Sequence, residues 1–583
     1  LSKNSENVVE NEGERDVVQD INEPVAVDLN VVENDVVTSR GRRLVSNSRY
    51  FNSEYVNQVS MPETPKTYRQ AMKSSQNEQW QEAMTKELES LKKNSTWDLV
   101  PRQTSMFVVK SKWVFKIKTD ERGDIERFKA RVVAMGFTQT FGVDYDETFS
   151  PVLNSVTRRI LLSLAAQPKV ISVQADVETA FLQSFLDHKI YLEPPPGMVV
   201  PDGYVLDLHR AIYGLKQSPL LWFNTLSTFL RSIGFTQCIS DVCLFILGDG
   251  GYTVLLSVYV DDLIVSSESQ KHLDMVLNLL KGRFPIRDVK KLSWTVGLHI
   301  SGSNATGNLY VSQQAYIQSL VEKYLQEDKR QKSFTPMQSD SNALFNSVSD
   351  LLSNSNRVKL YQEIVGALNY LAHASRPDIM FAVNMLSRFL QVPREVHLES
   401  ALRVIKYLNE VPNFSIMFAT WEDNSIHLCA FCDASFAATP YVDGRSTTGI
   451  LIYLNGSLIL WKSSRQSIVS LSAMEAELQA ISQTVVELQW IRSVLSELQY
   501  TVPQVMIFTD SEPAIKYLYR QSDVLKPRTR HLALRYHFIR KEIEDNLLEL
   551  HYLPSRRQRA DLLTKPLPRA QFGCLRELLS QSC

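Results

Sequence analysis

The sequence predicts a multidomain α+β protein. Helical periodicity, strand-like alternation and turn signals interchange along most of its 583 residues. With 44% hydrophobic residues, the chain can bury several cores, and its length gives a prior of about three or four domains. Two sets of acidic residues, far apart in the chain, each fall at the ends of strand-like runs.

The net charge of −1 conceals an asymmetry. Residues 1–37 carry ten acidic and two basic side chains, leaving the other 546 residues at +7. Lys526 to Arg569 holds eleven Lys/Arg against five Asp/Glu, and "KSKWVFKIKTDERGDIERFKAR" holds eight against four. Such stretches are either solvated surface or footprints for a polyanion. Six cysteines do not make a disulfide framework in so long a chain, which favours a reducing compartment. "CAFC" (Cys429, Cys432) has zinc half-site spacing, but it reads as strand and no second pair follows. No apolar run approaches the ~18 residues of a membrane span, and no signal peptide is evident. From the start at Leu1 rather than Met, the sequence is expected to be a fragment of something longer.

Along the chain, residues 1–66 form an acidic tail without sustained periodicity, expected to be disordered. Trp80, Met84, Leu88 and Leu91 then repeat at helical spacing. "MFVVKSKWVFKIK" and "FKARVVAMGF" read as strands joined at "DERGD". Mixed elements continue to residue 328. A Ser/Asn-rich linker and a helical connection are expected over 329–423, an α/β block over 424–570, and a short tail over 571–583.

In "TVLLSVYVDDLIVSS" two strand-like runs meet at adjacent carboxylates, Asp261 and Asp262, at the tip of a hairpin. An ordinary Asp-containing turn would look the same. A second run in "KVISVQADVETAFLQ", however, ends at Asp176. Carboxylates at the ends of neighbouring strands offer hard oxygen ligands suited to Mg²⁺. Two such ions about 4 Å apart activate an attacking 3′-hydroxyl and stabilise a leaving pyrophosphate.

"YVDD" in an apolar hairpin, preceded by an Asp-to-aromatic segment, resembles the palm of a reverse transcriptase. "WVFKIK", "RFKARVVAMGFTQTFGVDYDETFSPV", "QADVETAFLQ", "AIYGLKQSPLLWF", "YVDDLIV", "RPDIMFAVNMLSRFL" and "RSTTGILIYLNGSLILWKSSRQSIVSLSAMEAEL" together resemble the copia-type LTR retrotransposon polyprotein. They occur in that family's order from roughly residue 67 to 570. The resemblance implies a right-hand polymerase with fingers, palm and thumb over 67–328. It assigns Asp176, Asp261 and Asp262 to metal binding, and Tyr259 and Val260 to the primer terminus. Phe181 would lie under the sugar, where it excludes a 2′-hydroxyl. Tyr213 and Gly214 would flank the incoming base, and Lys129 and Arg131 would hold its triphosphate. Three places depart from the family: Met135 and Leu220 stand where Arg is usual, and "RDVKKLSW" replaces a "KDLGEL"-like segment.

The second acidic set begins at Asp433, ending the strand-like "IHLCAFCDASFA". A hairpin with an "NG" turn, a long helix, a strand ending at Asp510 and a helix start at Asp561 follow. This succession resembles the RNase H fold, in which four carboxylates and two Mg²⁺ ions direct water onto an RNA phosphodiester. Of Glu475 and Glu477, only Glu477 has entirely apolar neighbours three and four positions away, so it faces the sheet. The family's "AEL" position agrees with Glu477. "YLPSRRQRAD" holds Arg556 and Arg557 but no His; His531 and His537 are expected on a surface helix, with substrate binding or packing as the alternative, and are not assigned to catalysis. The basic C-terminal stretch fits backbone contacts to an RNA–DNA hybrid.

The resemblance therefore implies an RNA-directed DNA polymerase with an associated ribonuclease H, using Mg²⁺ (or Mn²⁺), dNTPs, an RNA template and a DNA or tRNA primer. It implies membership of a larger polyprotein with capsid, protease and integrase, acting in DNA integration from a cytoplasmic virus-like particle or the nucleus. No nucleocapsid zinc knuckle, protease D-[ST]-G triplet or integrase His/Cys finger is recognisable, as expected of a 3′ portion. The alternative is a catalytically inactive or truncated remnant that only binds nucleic acid.

Overall fold

The computed structural model describes residues 35–37, 43–45 and 64–580, except 120–124, 249–251, 304–306, 326–330, 341–342, 347–349, 353, 422–424, 438–443 and 521–532. Most of the acidic tail and His531 thus lie outside the described residues. Within residues 1–49, Asp35–Val37 and Arg43–Val45 pair antiparallel, with Asp35 opposite Val45.

In the remainder, the first long helix, α1 (Asn77–Lys93), forms because Trp80, Met84 and Leu91 recur on one face and are buried. Trp80 packs edge-on against Phe115 and Phe128, at centroid distances of 5.1 and 4.7 Å. Those two rings belong to β1 (Ser111–Thr119) and β2 (Ile125–Ala134), an antiparallel ribbon with Lys116 opposite Lys129. α2 (Ser155–Ala165) is capped by Asn154, whose side chain accepts from Val156 N at 2.8 Å, and is buried from Val156 to Ala165.

The central sheet contains β3 (Ile171–Val177), β4 (Leu244–Gly248), β5 (Thr253–Tyr259), β6 (Asp262–Ser267) and β7 (Ile286–Lys291). α3 (Ser218–Ser232) lies between β3 and β4 in the chain. With the short strand Thr236–Gln237 at one edge, the order is Thr236–Gln237, β4, β5, β6, β3, β7, antiparallel throughout. "RDVKKLSW" supplies most of the edge strand β7, whose register shifts between Ile286 and Val289.

Three helices follow: α4 (Ser355–Ala374), α5 (Met380–Ser387) and α6 (Glu395–Glu410). The Ser/Asn-rich segment before them is not a free linker in its described parts. Met337, Leu344 and Leu352 are buried in the core, and the Leu344 carbonyl lies 2.9 Å from His397 Nε2. Polar composition misleads here because single apolar residues anchor each stretch of backbone.

The last sheet comprises β8 (Leu428–Ser435), β9 (Thr447–Leu454), β10 (Ser457–Arg465), β11 (Val505–Thr509) and β12 (Leu548–Tyr552), in the order β10, β9, β8, β11, β12. The β8–β11 and β11–β12 pairs are parallel and the others antiparallel. Asn455 and Gly456, at φ +47° and +78°, make the β9–β10 turn. α7 (Ala473–Glu497) packs against β8 and β9. The chain is thus α+β, with an antiparallel central sheet, a helical segment and a mixed sheet covered by α7, consistent with the right-hand polymerase and RNase H-like α/β domain that the sequence resemblance implies. Among the described residues, no helix is long and apolar enough to cross a membrane.

A buried ion pair ties the three-helix segment together. Arg376, fully buried, donates from Nε and Nη2 to the Asp378 carboxylate at 2.9 and 2.7 Å and from Nη1 to Val411 O at 3.0 Å. Tyr407 adds a 2.5 Å bond to Asp378. Burial alone would raise the Asp378 carboxyl, but Arg376 and Tyr407 hold it below the usual carboxylate range. A depressed acid stabilises fully above its unfolded value of about 3.9 and loses that contribution as pH falls through its folded value. Asp378→Asn is expected to cost about 3 kcal/mol near neutrality, because it strands a buried guanidinium. It should also flatten the acid limb of the stability profile, measured by urea unfolding from about pH 6 to about pH 3.

Candidate active sites

The first site forms where β3 and the β5–β6 hairpin end together. Asp176 is directly opposite Asp262 across β3 and β6, and Val177 N donates to Asp261 O at 3.1 Å. Directly opposed residues hold their Cβ atoms about 5 Å apart, so the three acids adjoin. Asp176 is exposed, while Asp261 and Asp262 are half-buried. Burial and then the Asp176 charge raise the Asp261 carboxyl, partly offset by Arg131 and Lys129. Asp262 is pushed up to about 6 by burial and by Asp261, although Gln174 Nε2 donates to it at 3.3 Å. These groups line a cavity of about 1130 Å³, which Lys129, Arg131 and Tyr213 also line.

The hairpin turn is strained. Tyr259 pairs with Asp262, leaving Val260 and Asp261 as the turn, and Val260 has φ +56°. A β-branched residue there costs about 1 kcal/mol or more. Trp222 of α3 holds it by donating from Nε1 to Val260 O at 2.6 Å. A second tight place is Gly214, at φ +91°, where a Cβ would stand 2.0 Å from Ala134 O. Glycine there lets the Tyr213–Gly214 turn clamp the end of β2, with Ala134 N donating to Tyr213 O at 2.8 Å.

Phe181 sits in a 3₁₀ turn (Ala180–Gln183), its ring 4.7 Å from that of Tyr213. Arg131 stacks over the other member of this pair, 4.3 Å from the Tyr213 centroid. Lys129 and Arg131, two apart on β2, share a face, and both act on Asp261. Burial, then the like charges of Arg131, Arg127 and Lys118, lower Lys129 to about 8. Glu87 of α1, not singled out from the sequence, lines the same cavity and accepts from Val132 N at 3.3 Å. Burial raises its pKa despite the cations nearby. Gln174 was legible in principle, since it precedes Asp176 by two on one strand face. Glu87 carried no local signal. Met135 and Leu220 are half-buried, and nothing in the structure explains their departure from the family.

The second site lies at the centre of the RNase H-like sheet. Asp433 of β8, Glu477 of α7 and Asp510 after β11 offer ligand atoms that all lie within 4.8 Å of one another. Glu477 is raised well above the usual range by burial, then by Asp433 and Asp510. One of its oxygens accepts from Ala434 N at 3.2 Å, and the other is buried without a partner. Glu475 turns elsewhere: it accepts from Leu471 N at 2.6 Å, while its own N–H donates to Ser472 Oγ at 3.2 Å. Asp561 occupies a 3₁₀ turn (Arg559–Leu563) rather than an α-helix start. Burial and Asp433 raise it to about 7, against the effect of Lys565. Lys565 Nζ stands 2.9 Å from Asp561 Oδ1 and 3.9 Å from Asp433 Oδ2, and Thr564 Oγ1 donates to Asp433. Lys565 was missed in the sequence, although its i,i+4 spacing from Asp561 was visible.

An all-oxygen donor set with an orphaned buried carboxylate oxygen fits a hard divalent cation. The palm acids fit the same ion class by donor type and mutual repulsion. Cys429 and Cys432 lie buried inside β8, and no metal-ligand group among the described residues includes them. Arg556, Arg557 and His537 are exposed around the second site's C-terminal elements.

A family model described as "Reverse transcriptase (RNA-dependent DNA polymerase)" matches residues 94–339. The Retrovirus-related Pol polyprotein from transposon RE1 of Arabidopsis thaliana is 37% identical over 513 residues, 87% of this chain and 34% of its own. That from transposon TNT 1-94 of Nicotiana tabacum is 32% identical over 546 residues, 92% of this chain and 40% of its own. The putative transposon Ty5-1 protein of Saccharomyces cerevisiae is 36% identical over 318 residues, 54% of this chain and 100% of its own. This chain thus spans little more than a third of the two Pol polyproteins. Among solved structures, a foamy viral protease-reverse transcriptase in complex with double-stranded DNA matches at 15% identity and a TM-score of 0.44, covering 86% of this chain and 74% of that one. The chain belongs to the copia-type retrotransposon reverse transcriptase family.

Proposed function

We propose that the protein copies an RNA template into DNA from a primer and cleaves the RNA strand of the resulting hybrid, as one portion of a retrotransposon polyprotein. The observation that carries the reading is the convergence of seven acids, distant in the chain, on two sites. Asp176 faces Asp262 beside Asp261, and Asp433, Glu477 and Asp510 close to within 4.8 Å beside Asp561. Holding like charges this close, partly buried, is unfavourable unless cations join them.

Asp176, Asp261 and Asp262 would hold Mg²⁺ in the palm, and Asp433, Glu477, Asp510 and Asp561 in the second site. Bound there, Mg²⁺ supplies a Lewis acid for an attacking oxygen and a leaving phosphate oxygen. Lys129 and Arg131 receive the triphosphate of the incoming nucleotide, whose negative charge relieves their mutual repulsion. Arg131, stacked on Tyr213, keeps its guanidinium edge free for phosphate oxygens. Tyr213 flanks the base, and Phe181, packed against it, cannot retreat from a 2′-hydroxyl. Tyr259 and Val260 lie at the primer terminus. In the nuclease, Thr564 and Gln558 orient the acids: Gln558 Nε2 donates to Cys432 O at 3.0 Å, seating the Asp561 turn on β8.

Primer extension on an RNA template with Mg²⁺ and dNTPs tests the polymerase. Asp261→Asn is expected to lose about a thousandfold in rate, since metal-assisted charge stabilisation is worth several kcal/mol. If neither protein extends the primer although both bind hybrid, the chain is an inert nucleic-acid binder. Phe181→Ala should relax the preference for dNTP over rNTP by about 10–100-fold, read from competing single-nucleotide incorporations. Cleavage of labelled hybrid RNA separates the two glutamates. Glu477→Gln should abolish it, whereas Glu475→Gln, which keeps an acceptor for Leu471 N, should leave the rate within about threefold and stability within about 0.5 kcal/mol. Equal effects of the two would sink the assignment.

A further inference from the structure

The four acids of the second site divide unequally. Asp433, Glu477 and Asp510 bring ligand atoms within 4.8 Å of one another, and Asp561 stands outside that group. Asp561 is joined to Asp433 through the two residues that follow its turn. Thr564 Oγ1 donates to Asp433 Oδ2, and the Lys565 ammonium stands 3.9 Å from that same oxygen and 2.9 Å from Asp561 Oδ1. The 2.9 Å contact lacks hydrogen-bond alignment, so Lys565 meets the buried Asp561 oxygen as a point charge.

Two cation positions are thereby distinguished. The first is the all-oxygen group of Asp433, Glu477 and Asp510, where Glu477 keeps a buried oxygen without a partner. The second is the gap between Asp433 and Asp561, which holds the ammonium. Side-chain exposure is 37% for Lys565 but 3% for Asp433 and 2% for Asp561. The ammonium thus lies between buried acids and solvent, on a flexible four-carbon stem, and can leave without moving either carboxylate. A divalent ion and an ammonium do not share such a gap, because like charges in contact repel.

We propose that Lys565 is a tethered cation that holds the second cation position of the nuclease site. The free protein then takes one divalent ion there, between Asp433, Glu477 and Asp510. A second enters when a phosphate of the hybrid's RNA strand draws the ammonium away from Asp433 and Asp561. Lys565 is a positioning residue in this account, and the inference rests on the nuclease reading. A phosphate suits the exchange because one charged oxygen can take the ammonium while another completes an ion's oxygen shell.

The test counts ions with Mn²⁺ by electron paramagnetic resonance. The parent is the full chain carrying Asp176→Asn, Asp261→Asn and Asp262→Asn, which silences the palm and relieves its repulsion. Two Mn²⁺ ions about 4 Å apart give a coupled signal and a single ion does not. Without hybrid, the parent should give an uncoupled ion. Lys565→Met added to the parent should give the coupled pair and bind its first ion about tenfold tighter by calorimetry, an ordinary coupling between neighbouring sites. Lys565→Arg should stay uncoupled. Hybrid mixed with the parent and frozen before turnover should bring up the coupled signal with Lys565 in place.

A coupled pair in the parent without hybrid overturns the proposal, whether or not Lys565→Met folds. So does a folded Lys565→Met that stays uncoupled, which would make the ammonium a structural ion pair only, or a parent that hybrid leaves uncoupled. A chain with the expected coupling that never cleaves hybrid RNA, tested without the palm substitutions, refutes the nuclease reading and leaves the place of Lys565 standing.

Discussion

The structure depends on backbone pairing that holds carboxylates together against their own repulsion. In the palm, the β3–β6 ladder sets Asp176 opposite Asp262, and a two-residue turn presents Asp261 beside them. In the RNase H-like layer, parallel pairing of β8 with β11 brings Asp433 near Asp510, and α7 lays Glu477 over both. Burial and crowding raise the proton affinity of Asp261 and Asp262 in the first arrangement and of Glu477 and Asp561 in the second. The ladders and cores supply the stabilisation that makes such crowding tolerable.

The two sites meet their charge problem differently. Lys129 and Arg131, cations on a separate ribbon, line the same cavity as the acids. That space is of a size to admit a charged ligand between them. In the second site the counter-charge is intimate: Lys565 touches Asp561, and Thr564 bonds Asp433 from the same turn. Such an ammonium neutralises the acids without filling an octahedral ligand shell.

Strain marks the palm turn as more than a connection. Val260 at φ +56° is an unfavourable choice for a two-residue hairpin, and it is held there by Trp222. Gly214 follows Tyr213, where contact with Ala134 leaves no room for a side chain.

Much of this was legible in the chain itself. Strand period, the "NG" turn, the stripe around Trp80 and the acids at strand ends follow from side-chain alternation and local turn chemistry. Glu475 and Glu477 were separable from their neighbours at three and four positions, because a helix repeats over that distance. Other features had no local signature. Glu87 joins the palm cavity from α1, Arg159 reaches the Trp461 ring, and the Ser/Asn-rich segment seats Met337, Leu344 and Leu352 in the core. Those outcomes depend on which surfaces meet when separate elements pack. A chain encodes its periods over a few residues, but the partner of a buried charge is chosen by the whole fold.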